Sequence, residues 1–138
     1  MENVISERVV GNNGIQNMSA REAFNAIQNG AMLIDIREEY HTNMKTFQVA
    51  NYIILPLSIF DANITKLPKD NLLIIADASG LHSKIAVEKL LQNGFTKVAN
   101  LAGGIIDWER DGFPVTKDPS QQLSGQCPCM IKNMNVKK

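Results

Sequence analysis

The chain has 138 residues, 44% of them hydrophobic and 20% charged, which suits one globular domain with a substantial core. Fourteen basic and fourteen acidic side chains cancel, so no global field draws the protein to nucleic acid or to an anionic membrane. The longest apolar runs, 53–57 and 72–76, are too short to span a bilayer, and the early acid Glu2 interrupts any leader-like start, so a cytoplasmic protein is expected.

Residues 1–17 are polar, with Asn12-Asn13-Gly14 as a loop signal and Val9-Val10 as a candidate edge strand. Ser19-Ala20-Arg21-Glu22 has the spacing of a capping box and predicts a helix whose apolar stripe is Ala23, Phe24 and Ile27. Gly30 is placed to stop it. Met32 to Ile36 is predicted as a buried strand, and Arg37 to Met44 as a short helix or turn. Tyr52 to Leu55 predicts another strand, broken by Pro56, which cannot donate to a ladder. Ser58 to Leu67 fits a short helix stopped by Pro68.

Leu72 to Ala76 is the most apolar strand and the expected sheet centre. Ser83 to Asn93 is the clearest helix, with Ala86 and Leu90 on one face, Val87 and Leu91 beside them, and Gly94 at its end. Lys97 to Leu101 is a further strand, which Gly103-Gly104 turns into a helix through Trp108. Strands alternating with helices predict an α/β domain, a central mostly parallel sheet with helices on both faces. From Val115 onward the pattern dissolves into an extended polar tail.

The chemistry concentrates in the junction between the 72–76 strand and the 83–93 helix. It reads Asp77-Ala78-Ser79-Gly80-Leu81-His82-Ser83. In a parallel sheet such a junction lies at the carboxyl end of a strand, where ligands bind, and its backbone N–H groups with the helix dipole form an anion cradle. Ala78, Ser79, Gly80, Leu81, His82 and Ser83 are therefore the candidate anion- or substrate-binding loop, with Ser83 expected to cap the helix. A catalytic loop of this shape needs a nucleophile at its start, and here that position holds the carboxylate of Asp77.

The order of parts resembles the rhodanese-like domains of the sulfurtransferase superfamily. Leu33-Ile34-Asp35-Ile36-Arg37-Glu38 is similar to their strand-end signature, and Ile54-Leu55-Pro56-Leu57-Ser58 to a second element. Asn93-Gly94-Phe95 with Val98, followed by Asn100-Leu101-Ala102-Gly103-Gly104-Ile105 and Trp108, is similar to their closing motif. The resemblance implies a rhodanese-like domain over 16–115, an N-terminal segment 1–15 and a tail 116–138. It also implies an ancestral activity, the transfer of sulfane sulfur through a persulfide on a loop cysteine. Carried over, that cysteine falls on Asp77 and the basic residue after it on Ala78, while Gly80 and Ser83 keep the family's residues. A carboxylate cannot form a persulfide, and Ala78 removes a cation for an anionic donor. The family's glycine- and proline-containing element before the second strand is also not recognisable in Lys45 to Asn51.

Bland roles stand beside these. Asp77 can accept the loop's own N–H groups and fill the anion hole. Its rival role, general base or aspartyl nucleophile, needs a metal or leaving-group acid that no motif supplies. His82 is a candidate proton carrier or a solvated residue at a helix start, and His41 carries no motif. Asp35 and Arg37 are expected to form a strand-end ion pair that braces the loops.

Cys127-Pro128-Cys129 is the second feature with chemical content, and these are the chain's two cysteines. Proline favours an extended segment in which the flanking thiols project to one side, suiting copper(I) or two-thiol handling of sulfur. A four-ligand zinc site finds no further thiol in the sequence.

The expected function is a rhodanese-like protein without standard thiosulfate sulfurtransferase activity, acting as a binding or regulatory module. The alternatives are a persulfide carrier or sulfurtransferase using Cys127 or Cys129, and a thiol metal-binding or redox protein. No cofactor is implied. The partner is expected to be a sulfur donor or acceptor protein or a small sulfur compound, with neither nucleic acid nor membrane involved.

Overall fold

The structure is a computed structural model that describes residues 15–117, so Val9-Val10 and the Cys127/Cys129 pair lie outside the described residues. Chain order runs β1 (Asn17–Met18), α1 (Ala20–Gln28), β2 (Met32–Asp35), α2 (Glu39–Thr42), β3 (Lys45–Phe47) and β4 (Tyr52–Ile54). It continues through α3 (Phe60–Asn63), β5 (Leu73–Ala76), α4 (Ser83–Gln92), β6 (Val98–Leu101), α5 (Gly104–Arg110) and β7 (Val115–Lys117). Five strands form one sheet in the order β1-β6-β5-β2-β4, every neighbouring pair parallel. The α/β class with a parallel central sheet is as the sequence predicts, and β5, buried along its whole length, is the middle strand.

Strand alternation sorts the core into two layers. Leu33 and Ile74 point to the layer of α1 and α5, where Ala23, Ile27, Ile105 and Trp108 are buried. Ile34 and Ile75 point the other way, to Phe60 and Ile64 of the α3 region and to Ala86, Val87 and Leu90 of α4. Trp108 is fully buried, edge-on to Phe47 at 5.2 Å, and donates its indole N–H to the Pro114 carbonyl at 2.8 Å. The predicted capping box is present: Glu22 N–H donates to Ser19 Oγ at 3.1 Å, and Ser19 N–H to Glu22 Oε1 at 2.9 Å. Gly30, at φ +106°, ends α1.

Two local readings are corrected. The single helix expected over 58–67 is a 3-10 turn (Leu57–Ile59), the one-turn α3, and a second 3-10 turn (Ile64–Lys66). Phe60 and Ile64 still share a buried side, so the apolar spacing is used without a continuous helix. Val115 to Lys117, expected to begin an extended polar tail, is β7, paired antiparallel with β3 from Lys45↔Lys117 to Phe47↔Val115. β1, Asn17–Met18, is an edge strand that the sequence does not suggest, parallel to β6.

Connections leave β2 and β5 in opposite directions across the sheet, toward β4 and β6 respectively. This is the switch point at which parallel α/β sheets hold ligands, at the carboxyl ends of the strands. Asp35 in register with Ala76, and Asp77 after it, stand at that crevice. No helix among the described residues is long and apolar enough to cross a membrane.

Candidate functional site

Asp77 follows the last residue of β5 and is 4% exposed. The chain folds back over it. Gly80 N–H donates to Oδ1, and His82 N–H donates to Oδ2 at 2.9 Å. The imidazole Nδ1 of His82 lies 3.5 Å from Oδ2, but that ring is 75% exposed and stands at the edge of the site. The carboxylate is therefore held by two backbone dipoles from inside its own loop.

Glycine is required where the loop meets the next one. Gly80 has φ +92°, and a Cβ there would lie 2.8 Å from Gly103 N and 3.1 Å from Leu101 O. Gly104, at φ +56°, faces the carbonyl oxygens of Asp77 and Ala78, and any side chain there would overlap both. The first residues of α5 instead donate to the loop, Ile105 N–H to Asp77 O at 3.0 Å and Ile106 N–H to Ala78 O at 3.1 Å. The Gly-Gly pair thus lets α5 start against the loop backbone.

Ser83 does not cap the helix. Its neighbour His82 is the cap residue, without a side-chain bond, and Ser83 is the first helical residue. The Ser83 hydroxyl points inward, hydrogen-bonded to Asn100 Oδ1 and 3.4 Å from Asp77 Oδ1. Asn100, 1% exposed, donates through Nδ2 to Asn17 Oδ1 at 3.0 Å and to Gly80 O at 3.3 Å. This amide ties the loop to β6 and β1. Sequence reasoning does not single out Asn100, although a lone polar residue in the otherwise apolar Val98–Leu101 strand is the available signal. Within the loop, Ser79, Leu81 and His82 are exposed or partly so, Ala78 is half-buried, and Gly80 and Ser83 are buried.

One strand away, Asp35 and Arg37 form the expected ion pair, but it is buried rather than superficial. Arg37 Nε donates to Oδ1 at 2.9 Å and Nη2 to Oδ2 at 2.7 Å, a bidentate fork with side chains 6% and 0% exposed. Nη2 also donates to the Lys45 carbonyl at 2.9 Å, and the guanidinium stands over the Phe47 ring at 5.8 Å. Tyr52, a third member the sequence does not suggest, donates its hydroxyl to Asp35 Oδ2 at 2.5 Å. Burial opposes the Arg37 charge, yet the hydrogen bonds and field of Asp35 outweigh it, and the Arg37 pKa rises. Burial, then the charge and hydrogen bond of Asp35, push the Tyr52 phenol well above its ordinary 10.0. His41 lies in α2 with its ring 4.3 Å from that of Tyr40, away from both carboxylates' bonds.

The arrangement presents an acceptor, not an attacking thiol, inside an anion cradle, with a charge-paired brace alongside. Among the described residues no group of three or more His, Cys, Asp or Glu side chains is placed to hold a metal ion.

Comparison with known proteins places the chain. The family model of the rhodanese-like domain matches residues 19–111. A protein named sulfurtransferase from Allochromatium vinosum is 33% identical over 84 residues, covering 61% of this chain and 77% of the relative. A rhodanese-related protein from Thermoplasma volcanium superposes with a TM-score of 0.66 at 27% identity, over 74% of this chain and 98% of its own. A rhodanese-like domain protein from Staphylococcus aureus superposes with a TM-score of 0.64 at 23% identity, over 75% and 100% of the two chains, and shares the fold.

Proposed function

Because the chain belongs to the rhodanese-like domain family, we propose that it is a member without thiosulfate sulfurtransferase chemistry of its own, whose loop face binds rather than reacts. The observation that carries this reading is the buried Asp77 carboxylate, clasped by the N–H groups of Gly80 and His82. Sulfur transfer from thiosulfate breaks its S–S bond, makes a new S–S bond to a thiolate and releases sulfite. A carboxylate oxygen offers no equivalent bond. Its negative charge also repels the dianionic donor, while two loop donors, the N–H groups of Gly80 and His82, are already engaged by Asp77 itself. Ala78 supplies no compensating cation, and the neighbouring His82 ring stands in solvent.

In this reading the loop is a recognition surface for a regulatory or binding role in sulfur metabolism, with a sulfur donor or acceptor as partner. The test is a thiosulfate:cyanide assay on the full chain and on its Cys127→Ser/Cys129→Ser variant. Neither should form thiocyanate above background. Turnover lost in the double variant would assign catalysis to the Cys-Pro-Cys pair, and turnover retained in both would overturn the reading. An Asp77→Cys variant extends the test: after thiosulfate treatment it should gain a sulfur adduct at that side chain, seen by mass spectrometry, because Gly80 and the loop N–H groups remain to cradle it.

A further inference from the structure

Four strands of the parallel sheet end at one edge, and each is followed at the fifth residue by a large exposed apolar side chain. They are Tyr40 after β2, Ile59 after β4, Leu81 after β5 and Ile106 after β6, exposed by 68%, 49%, 67% and 58%. Together they are half of the eight large hydrophobic side chains exposed among the described residues. The loops that carry them are bonded to one another. Leu57 N–H donates to Ile36 O at 3.0 Å, Ser58 Oγ to Glu38 Oε1 at 2.9 Å, and Ile106 N–H to Ala78 O at 3.1 Å. Large apolar side chains exposed on connected loops at the edge that holds the Asp77 crevice make this edge a surface suited to docking.

We propose that this rim docks the chain's own C-terminal segment, residues 118–138, with Cys127-Pro128-Cys129-Met130-Ile131 laid across the Asp77 loop. This rests on the reading of the loop face as a binding surface and names its occupant.

The described chain ends close to that rim. Lys117 stands opposite Lys45 in the β3–β7 ribbon, and the Lys45 carbonyl accepts from Arg37, which follows the Asp35 end of β2. The segment therefore departs beside the same carboxyl edge that carries the rim. Glu109 of α5 holds this root, paired with Lys117 Nζ at 2.9 Å and with Lys45 Nζ. The ten residues from Lys117 to Cys127 can extend about 33–36 Å, more than a crossing of the sheet edge needs. Cys127 to Ile131 is an uncharged run of five apolar or sulfur-bearing residues with Lys132 next to it, and the segment as a whole carries three lysines against one acid. The exposed Glu39 and the half-buried Glu38, both at the rim, complement that charge.

Cross-linking on the full chain tests the proposal. Leu81→Cys, under mild oxidation with diamide, should form a disulfide with Cys127 or Cys129, identified by non-reducing peptide mass mapping, at a rate independent of protein concentration. Leu91→Cys, at the far end of α4, should cross-link at least tenfold more slowly. Equal rates at the two positions would overturn the proposal, and so would a rate that rises with concentration, which assigns the rim to a second copy. As a second readout, Leu81→Asp/Ile106→Asp should raise alkylation of the two native cysteines several-fold, and an unchanged rate counts against docking. Thiocyanate formation is measured separately, so failure of docking leaves the reading of Asp77 standing.

Discussion

Asp35 and Asp77 close adjacent strands at the same crevice, and both are shut away from solvent, yet they are neutralised by different means. Asp35 meets a full positive charge, the bidentate Arg37, and a phenol hydroxyl from Tyr52. Asp77 meets chiefly dipoles, the N–H groups of Gly80 and His82 with Ser83 Oγ at longer range, and beside them only the solvent-exposed His82 ring at 3.5 Å. The first arrangement joins three separate segments and would leave a buried cation behind if broken. The second is local to one loop, and its donors lie close to exposed residues that water reaches. The same side chain is thus a brace between elements in one place and a plug within a loop in the other.

The contrast breaks most severely at the brace. Asp35→Ala strands the Arg37 guanidinium and should destabilise the fold by about 3–5 kcal/mol, measured by chemical denaturation. Asp77→Ala leaves two backbone donors without their acceptor and should cost less, about 1–3 kcal/mol. If the two losses are equal, the distinction between charge-held and dipole-held carboxylates does not describe this molecule.

The smallest effect lies at Glu109, away from both aspartates. Its pKa is lowered by hydrogen bonds to Lys45 and then Lys117, which outweigh the opposing effect of desolvation. A lowered folded value means that the favourable contribution is complete above the ordinary 4.5 and is lost as pH falls through the folded value. The stability gap between wild type and Glu109→Gln should therefore be small near neutrality and vanish in acid. A gap that widens on acidification contradicts the assignment. The carboxylate is solvent-facing, so the gap should also shrink in high salt.

What the sequence makes legible follows the periodicity of its longer elements. The apolar strands β2, β5 and β6 and the helix α4 announce themselves by run length and spacing, and Ser19 with Glu22 marks the start of α1 through local chemistry alone. Strands β1, β3 and β7 are two or three residues long and take their structure from partners distant in the chain, so no local period betrays them. The same holds at the sites. Asp77 is visible as an anomaly at the start of a loop, and Asp35 with Arg37 as a charged strand end. Tyr52 and Asn100 are not, because each reaches its partner across strands, through the register of the sheet rather than the order of residues. Ser83 looks like a cap by position, but the pull of Asn100 turns its hydroxyl inward.

The β3–β7 ribbon sets a timetable as well as a shape. Its first strand is made early in synthesis and its second emerges last among the described elements. While the chain grows from its N-terminus, Phe47 has no ribbon partner and the five-stranded sheet must assemble without that side closed. Val115 then arrives opposite Phe47, and Lys117 reaches Lys45 and Glu109 only when nearly the whole domain has left the ribosome. Closing so long a loop is slow relative to local helix formation. Ribbon closure is therefore expected to be the final checkpoint of folding, and a chain cut just before Val115 should keep its sheet while fraying at β3.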